Sequence, residues 1–342
     1  MKRSKKSKKE IKNNASELRM DIVSDDWVII APARGRRPES FFRKDKKEKK
    51  DNEKECIFCQ KKIIKKAIAR KNKPDGSWFV ISMKNDFPAF SETEKTILVP
   101  KKKGPYQVMS GFGYQEVIIT ADHNRQLAQF SQKEVEIVVE LYLERYKELI
   151  KKKHIKYVSL FHNHGREAGA SVAHPHSQII AIPIIDPDLK DSLNGAEKYY
   201  QANKKCVYCT MIDWDRKEKK RIIYENKDFV VLCPFAPQVS FEVRVYPKKH
   251  QPYFEKMTQE EKKTFADALR VALYKIYKGL NNPPYNFYLH TAPKDSGIYE
   301  HYHWHFNILP RTLIWAGFEL GVGIEISTIK PEEAAAFLRK VR

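Results

Sequence analysis

No stretch of the 342-residue chain approaches the roughly 20 consecutive apolar residues that a bilayer-spanning helix needs. No hydrophobic segment follows the basic N-terminus either, so neither an anchor nor a secretory leader is expected, and a cytoplasmic protein is. Acidic residues are in deficit: 43 Asp and Glu stand against 64 Lys and Arg, giving a formal net charge of +21. Much of that excess sits in two runs, KRSKKSKKEIKNN near the start and RKDKKEKKDNEKE just before Cys56, which read as solvated segments. Charge of this sign favours anionic partners, whether nucleic acid or phosphorylated metabolites. A Lys-rich proteome or growth at high temperature would produce it equally. Cysteine is scarce, with five in the chain. In a reducing compartment, paired cysteines point to a metal before a disulfide. Hydrophobic residues, at 42%, suffice for the core of one large domain or two ordinary ones.

What the chain does have, it has twice. Cys56-Ile-Phe-Cys59 and Cys206-Val-Tyr-Cys209 share one spacing. After each comes a strand-like run, a histidine (His123, His250) and a long amphipathic helical pattern opened by a capping box, Ser131-x-x-Glu134 or Thr258-x-x-Glu261. The helical patterns lead into β-rich strings, IKYVSLFHNHG and YNFYLHTAP. Each half closes on a histidine pair, His174-Pro-His176-Ser-Gln178 and His303-Trp-His305-Phe-Asn307. The expected fold is α+β: two tandem domains, each an antiparallel sheet with flanking helices. Residues 1–17 form a basic tail, 18–195 the first domain and 196–342 the second.

Each half therefore offers two thiols and two imidazoles. Thiolate and imidazole together suit tetrahedral Zn²⁺, and a Cys-x-x-Cys turn presents both sulfurs to one ion. The expected ligands are Cys56, Cys59, His123 and His174 for one site, and Cys206, Cys209, His250 and His303 for the other, with His301 competing for the place of His303. Four protein ligands leave no open position, so both zincs would be structural. A redox dithiol is the competing explanation of a Cys-x-x-Cys pair. Cys233, alone in VVLCPFAP, reads as a buried core thiol.

On a strand, residues two apart share a face, so His174, His176 and Gln178 should project together. If His174 serves a metal, His176 is left for other work. Upstream, Gly165, Gly169 and Ser171 stand in a loop able to bring backbone N–H groups and a hydroxyl to a phosphate. A lone strand histidine more often completes a core; the loop and the neighbouring amide argue otherwise here.

These residues resemble those of the galactose-1-phosphate uridylyltransferase family, the transferase branch of the histidine-triad superfamily, over roughly residues 18–340. The resemblance implies two histidine-triad-like domains, with the first one catalytic. RMDIVSDDWVIIAPARGRRP is similar to the family's first strand and phosphate-contacting arginines, which implies that role for Arg34 and Arg37. MKNDFPAF resembles its nucleoside-binding segment, implying Asn85, Asp86 and Phe87. GASVAHPHSQI resembles the active strand, implying His176 as nucleophile, Gln178 as phosphate ligand, and Gly169, Ala170 and Ser171 around the phosphates. Asn163 falls where the family has an asparagine beside the nucleophile, and WAGFELG resembles the hexose-contacting segment, implying Glu319. The implied reaction exchanges UMP between UDP-glucose and galactose 1-phosphate through a uridylyl-histidine. Nucleotide sugar and hexose 1-phosphate are the implied partners, and a homodimer the implied assembly. Superfamily hydrolases usually carry a third histidine where Gln178 stands; an amide cannot titrate, which favours transfer over hydrolysis.

Two alternatives stay open. GFELGVG is also reminiscent of ADP-glucose phosphorylases, in which orthophosphate replaces the second sugar phosphate. A zinc-containing nucleic-acid-binding protein would fit the net charge, although the basic runs lie in tails and the expected ligands span whole domains rather than compact fingers.

Overall fold

A computed structural model describes residues 15–36, 52–92, 99–295, 297–313 and 315–342. Among them the strands are β1 Glu17–Met20, β2 Trp27–Ile30, β3 Ala67–Asn72, β4 Trp78–Lys84, β5 Lys101–Lys103, β6 Tyr106–Val108, β7 Tyr114–Thr120 and β8 Tyr157–His164. They continue with β9 His176–Ile182, β10 Ile222–Glu225, β11 Phe229–Leu232, β12 Val243–Pro247, β13 Tyr285–His290, β14 His305–Pro310 and β15 Ile326–Ser327.

Ten of these form one sheet in the order β10-β11-β12-β14-β13-β8-β9-β7-β4-β3, antiparallel throughout. Read from its centre outward, each side repeats the same path. The expected α+β class with antiparallel sheets is what the chain adopts. The two five-strand halves are not separate sheets, however: β8 pairs with β13, with Asn163 opposite Asn286 and His162 opposite Phe287. A small second sheet joins the β1–β2 hairpin to β15, so the start of the described chain is held by its far end. Arg19 reinforces that join through Glu332 and the carbonyl of Phe235.

Helices Gln132–Ile150 and Gln259–Gly279 begin where the capping boxes predict. The Ser131 hydroxyl accepts from Glu134 N–H while Glu134 accepts from Ser131 N–H, and Thr258 and Glu261 do the same. Val135, Val138, Val139, Tyr142, Tyr146 and Leu149 fall on one stripe of the first helix and are buried. Both helices pack on one face of the sheet, against residues such as Leu160, Ile179, Phe287 and Phe306. Fully burying a side chain of this size stabilises by about 1.5–3 kcal/mol. Strand alternation then sorts β9: Ile179 and Ala181 enter this core, and the opposite face is left to His176 and Gln178. Cys233 is fully buried in the same core. Among the described residues no helix is long and apolar enough to cross a membrane.

Candidate active site and metal clusters

Both expected quartets assemble. Cys56, Cys59, His123 and His174 bring their ligand atoms within 4.8 Å of one another, as do Cys206, Cys209, His250 and His303. In the first cluster Sγ of Cys59 lies 3.2 Å from His123 Nδ1 and 3.4 Å from His174 Nδ1, and Sγ of Cys56 lies 3.7 Å from His174 Nδ1. In the second, Cys209 Sγ lies 3.4 Å from His250 Nδ1 and 3.6 Å from His303 Nδ1. A tetrahedral ion at ordinary zinc–sulfur and zinc–nitrogen lengths would separate those atoms by about 3.6 Å. The outer nitrogens agree with this arrangement. His174 Nε2–H donates to the carbonyl of Thr120 (2.8 Å), His303 Nε2–H to that of Pro247 (2.9 Å) and His250 Nε2–H to that of Glu300 (2.7 Å). Each Nδ1 lone pair is thereby turned toward the sulfurs. Thr120 and Pro247 are the last residues of β7 and β12, the same place in the two halves. Of the two histidines expected to compete in the second half, His303 lies in the cluster and His301 does not: β14 begins at His305, and the residue two before it is the one whose Nδ1 reaches Cys209.

His176 opens β9 and is 8% exposed. Its Nδ1–H donates to the carbonyl of His174 at 2.9 Å, which leaves Nε2 as the lone-pair nitrogen. Burial holds the imidazole below the ordinary histidine range, against the opposing pull of that carbonyl, so the ring is neutral at pH 7. Phe58, inside the first Cys-x-x-Cys turn, meets the His176 ring edge-on at 5.2 Å. The Cys/His cluster therefore positions His176 twice, through the His174 carbonyl and through Phe58. Gln178, two residues on, accepts at Oε1 from Gln115 Nε2 at 2.9 Å.

The loop between β8 and β9 turns at two glycines. Gly165 has φ +80°, and a Cβ there would stand 2.9 Å from Pro284; Gly169 has φ +87°. Just past the second glycine, Ala170 N–H donates back to the Gly165 carbonyl, and Ser171 is exposed. Asn163 leads into this loop and is gripped from the other half of the sheet. Asn286 Nδ2 donates to Asn163 Oδ1 (2.8 Å) and to the Ala168 carbonyl (2.7 Å), while its Oδ1 accepts from Arg311 Nε (2.7 Å). Sequence reasoning did not single out Asn286, Arg311 or Gln115. Each matters through a partner across a strand pair, and nothing in its own neighbourhood marks it.

The second half copies the histidine but closes it. His305 Nδ1–H donates to the His303 carbonyl at 3.1 Å, as in the first half, yet Tyr208, Tyr246 and His290 lie 5.0–5.3 Å from its ring and 3% of it is exposed.

The remaining expected contacts are less gathered. Asn85 N–H donates to the Gln115 carbonyl and Asn85 Oδ1 accepts from Phe87 N–H, which sets a tight turn with the Phe87 ring 89% exposed. Asp86 pairs with Lys66 at 2.7 Å. Arg34 is exposed on the turn Pro32–Arg36 and takes no part in the hydrogen bonds around His176. Glu319 accepts from Ala316 N–H, capping its own short helix Gly317–Val322, and is likewise not bonded to that strand. Arg37 lies outside the described residues.

Comparison with known proteins agrees with this picture. The family model "Galactose-1-phosphate uridyl transferase, N-terminal domain" matches residues 5–185, and a domain of unknown function, DUF4921, matches residues 110–340. An ADP-glucose phosphorylase of Arabidopsis thaliana is 31% identical over 97% of this chain and 94% of its own length. A galactose-1-phosphate uridylyltransferase of Thermotoga maritima is also 31% identical, over 95% and 98%. Among solved structures, the Arabidopsis ADP-glucose phosphorylase with bound ADP-glucose superposes with a TM-score of 0.81 at 30% identity, covering 96% of this chain and all of that one. A uridylyltransferase superposes at 0.72 with 25% identity, covering 95% and 98%.

Proposed function

Because this chain belongs to the galactose-1-phosphate uridyl transferase family, we propose that it exchanges UMP between UDP-glucose and galactose 1-phosphate through a uridylyl-His176 intermediate. The observation that carries this reading is the His176 tautomer: Nδ1–H is committed to the His174 carbonyl, which leaves the Nε2 lone pair for attack, with Gln178 two residues on along the same strand.

In the first step Nε2 attacks the α-phosphorus of the nucleotide sugar. A phosphorus–nitrogen bond forms, the bond from that phosphorus to the bridging oxygen breaks, and the sugar 1-phosphate departs with the electron pair. In the second step a phosphate oxygen of the acceptor attacks the same phosphorus, and the P–N bond breaks to return neutral imidazole. The His174 carbonyl holds Nδ1–H throughout and stabilises the positive charge that the ring acquires. On this reading Gln178 and Ser171 meet the charge that spreads over the phosphoryl oxygens, while Gly169 and Ala170, whose N–H groups donate within the loop, hold its shape. Asn85, Asp86 and Phe87 take the nucleoside, Arg34 and Arg37 the phosphates, and Glu319 the hexose. Zn²⁺ in both quartets would fix the strands and supply no step of its own. The family resemblance adds a homodimer in the cytoplasm.

A second reading is an ADP-glucose phosphorylase, with orthophosphate as acceptor and the same histidine carrying AMP. It is favoured by a relative of that activity as similar as the uridylyltransferase, 31% in both cases. Intact mass after mixing the protein with UDP-glucose or ADP-glucose, beside a His176→Asn control, separates the two. A UMP adduct on the unmutated protein alone supports the first reading. An AMP adduct instead makes it the second. No adduct from either sugar sinks both.

A further inference from the structure

Gln178 is an amide, and which end it turns to a phosphate decides whether it attracts or repels. A phosphate oxygen needs a donor; the Nε2 end supplies one and the Oε1 end does not. The orientation is fixed by a chain of hydrogen bonds that ends on a group with no freedom. The backbone N–H of Ala89 can only donate, and its partner at 2.9 Å is the side chain of Gln115. Gln115 must therefore present Oε1 to Ala89, which turns its Nε2 to Gln178. Gln178 must in turn accept with Oε1, which leaves Nε2 for the ligand.

The rest of the Gln115 environment supports the same role. Val117 lies opposite Gln178 in the β7–β9 ladder, so Gln115 is its diagonal neighbour on the same face. Gln115 is 9% exposed, so water does not readily substitute for either bond. Its own backbone carbonyl accepts from Asn85 N–H. One residue thus ties both ends of the segment 85–89 to the amide beside His176.

We propose that Gln115 is a positioning residue that sets the polarity of Gln178, making it a donor to the phosphoryl group, and registers the 85–89 segment to the same site. This rests on the nucleotidyl-transfer reading above. The informative variant is Gln115→Glu, which keeps the shape and the bond to Ala89 but cannot donate. Gln178 must then reverse to donate to the carboxylate, and its carbonyl end faces the phosphate.

The test measures the rate of adduct formation by rapid-quench mass spectrometry with whichever nucleotide sugar labels the unmutated protein. The variants are Gln115→Glu, Gln178→Ala and the double variant, with UMP and AMP affinities measured by calorimetry alongside. Gln115→Glu should slow labelling at saturating sugar on the order of 100-fold, the scale for losing one transition-state donor. In the Gln178→Ala background the same change should cost a few-fold or less, a non-additivity that general loosening of the fold would not produce. Wild-type labelling by Gln115→Glu, or additive losses in the double variant, overturns the proposal while leaving the transfer reading intact. If the unmutated protein labels with neither sugar, the transfer reading falls and calorimetry decides: tighter binding of a monophosphate by the unmutated protein than by Gln115→Glu upholds the polarity claim. Equal binding, or none by either, overturns it.

Discussion

Asn286 stands in the half of the sheet opposite the one that carries His176, yet it holds the loop that leads from β8 to it. Replacing it with alanine removes three hydrogen bonds: the donations to Asn163 Oδ1 and the Ala168 carbonyl, and the acceptance from Arg311 Nε. Net values of about 0.5–1.5 kcal/mol for each neutral bond and 1.5–3 for the charged one bracket the loss. Asn286 and Arg311 are half-buried, so water recovers part of it, and about 2–3 kcal/mol of stability should go. Asn286→Asp separates holding from folding. The carboxylate keeps Arg311 and gains an ion pair, but it sets acceptor against acceptor at the Ala168 carbonyl, which cannot turn round. Its stability should stay within about 1 kcal/mol of the unmutated protein. Its labelling by nucleotide sugar should fall on the order of 100-fold, as expected when a loop beside the reacting phosphorus moves by about 1 Å. Urea denaturation and single-turnover labelling on the same preparations give both numbers. Wild-type stability in Asn286→Ala together with wild-type labelling in Asn286→Asp would show that the grip across the sheet has no effect on the site.

Three further outcomes follow from features at a distance. Metal analysis should find two ions per chain, and Cys59→Ser or Cys209→Ser should each remove one and leave the other, because the clusters share no ligand. Arg145 makes a bidentate pair with buried Glu116 at 2.7 and 2.8 Å; Arg145→Met should cost about 3–5 kcal/mol in urea denaturation by stranding that carboxylate, and a loss under 1 would contradict it. His162 is buried against Tyr285 and Phe287, and burial holds it well below the ordinary histidine range. The unfolded chain takes up a proton there below about pH 6.5 while the folded one does not, so its contribution is complete above that pH and is lost as pH falls, by about 1.4 kcal/mol per unit. In zinc-saturated buffer, His162→Gln should show the shallower decline between pH 6.5 and 5; parallel curves would refute the assignment.

The two Cys-x-x-Cys pairs and their histidines were legible because ligand chemistry restricts residue type and because the chain shows each pattern twice. The capping boxes at Ser131 and Thr258 were legible because their bonds are local. Gln115, Asn286 and Arg311 were not, since each acts through a register that joins residues far apart: Gln115 reaches Gln178 across β7 and β9, and Asn286 reaches Asn163 across β8 and β13. A one-residue slip in either ladder would turn these side chains to the other face. The joining of the halves was hidden for the same reason, because β8 and β13 carry no mark of which strand they will meet. Resemblance supplied Arg34 and Glu319, and the hydrogen bonds around His176 include neither.

The seam between β8 and β13 also bears on how the protein would tolerate being cut. A chain divided in the linker before helix Pro187–Asn203 would leave each fragment with a bare strand edge at what is now the middle of the sheet, where backbone donors and acceptors await a mate. Such fragments should seek each other when mixed and should stick to copies of themselves when alone. A split reporter built at that linker would therefore reassemble through main-chain pairing, and the return of nucleotide labelling would mark the moment the two edges close.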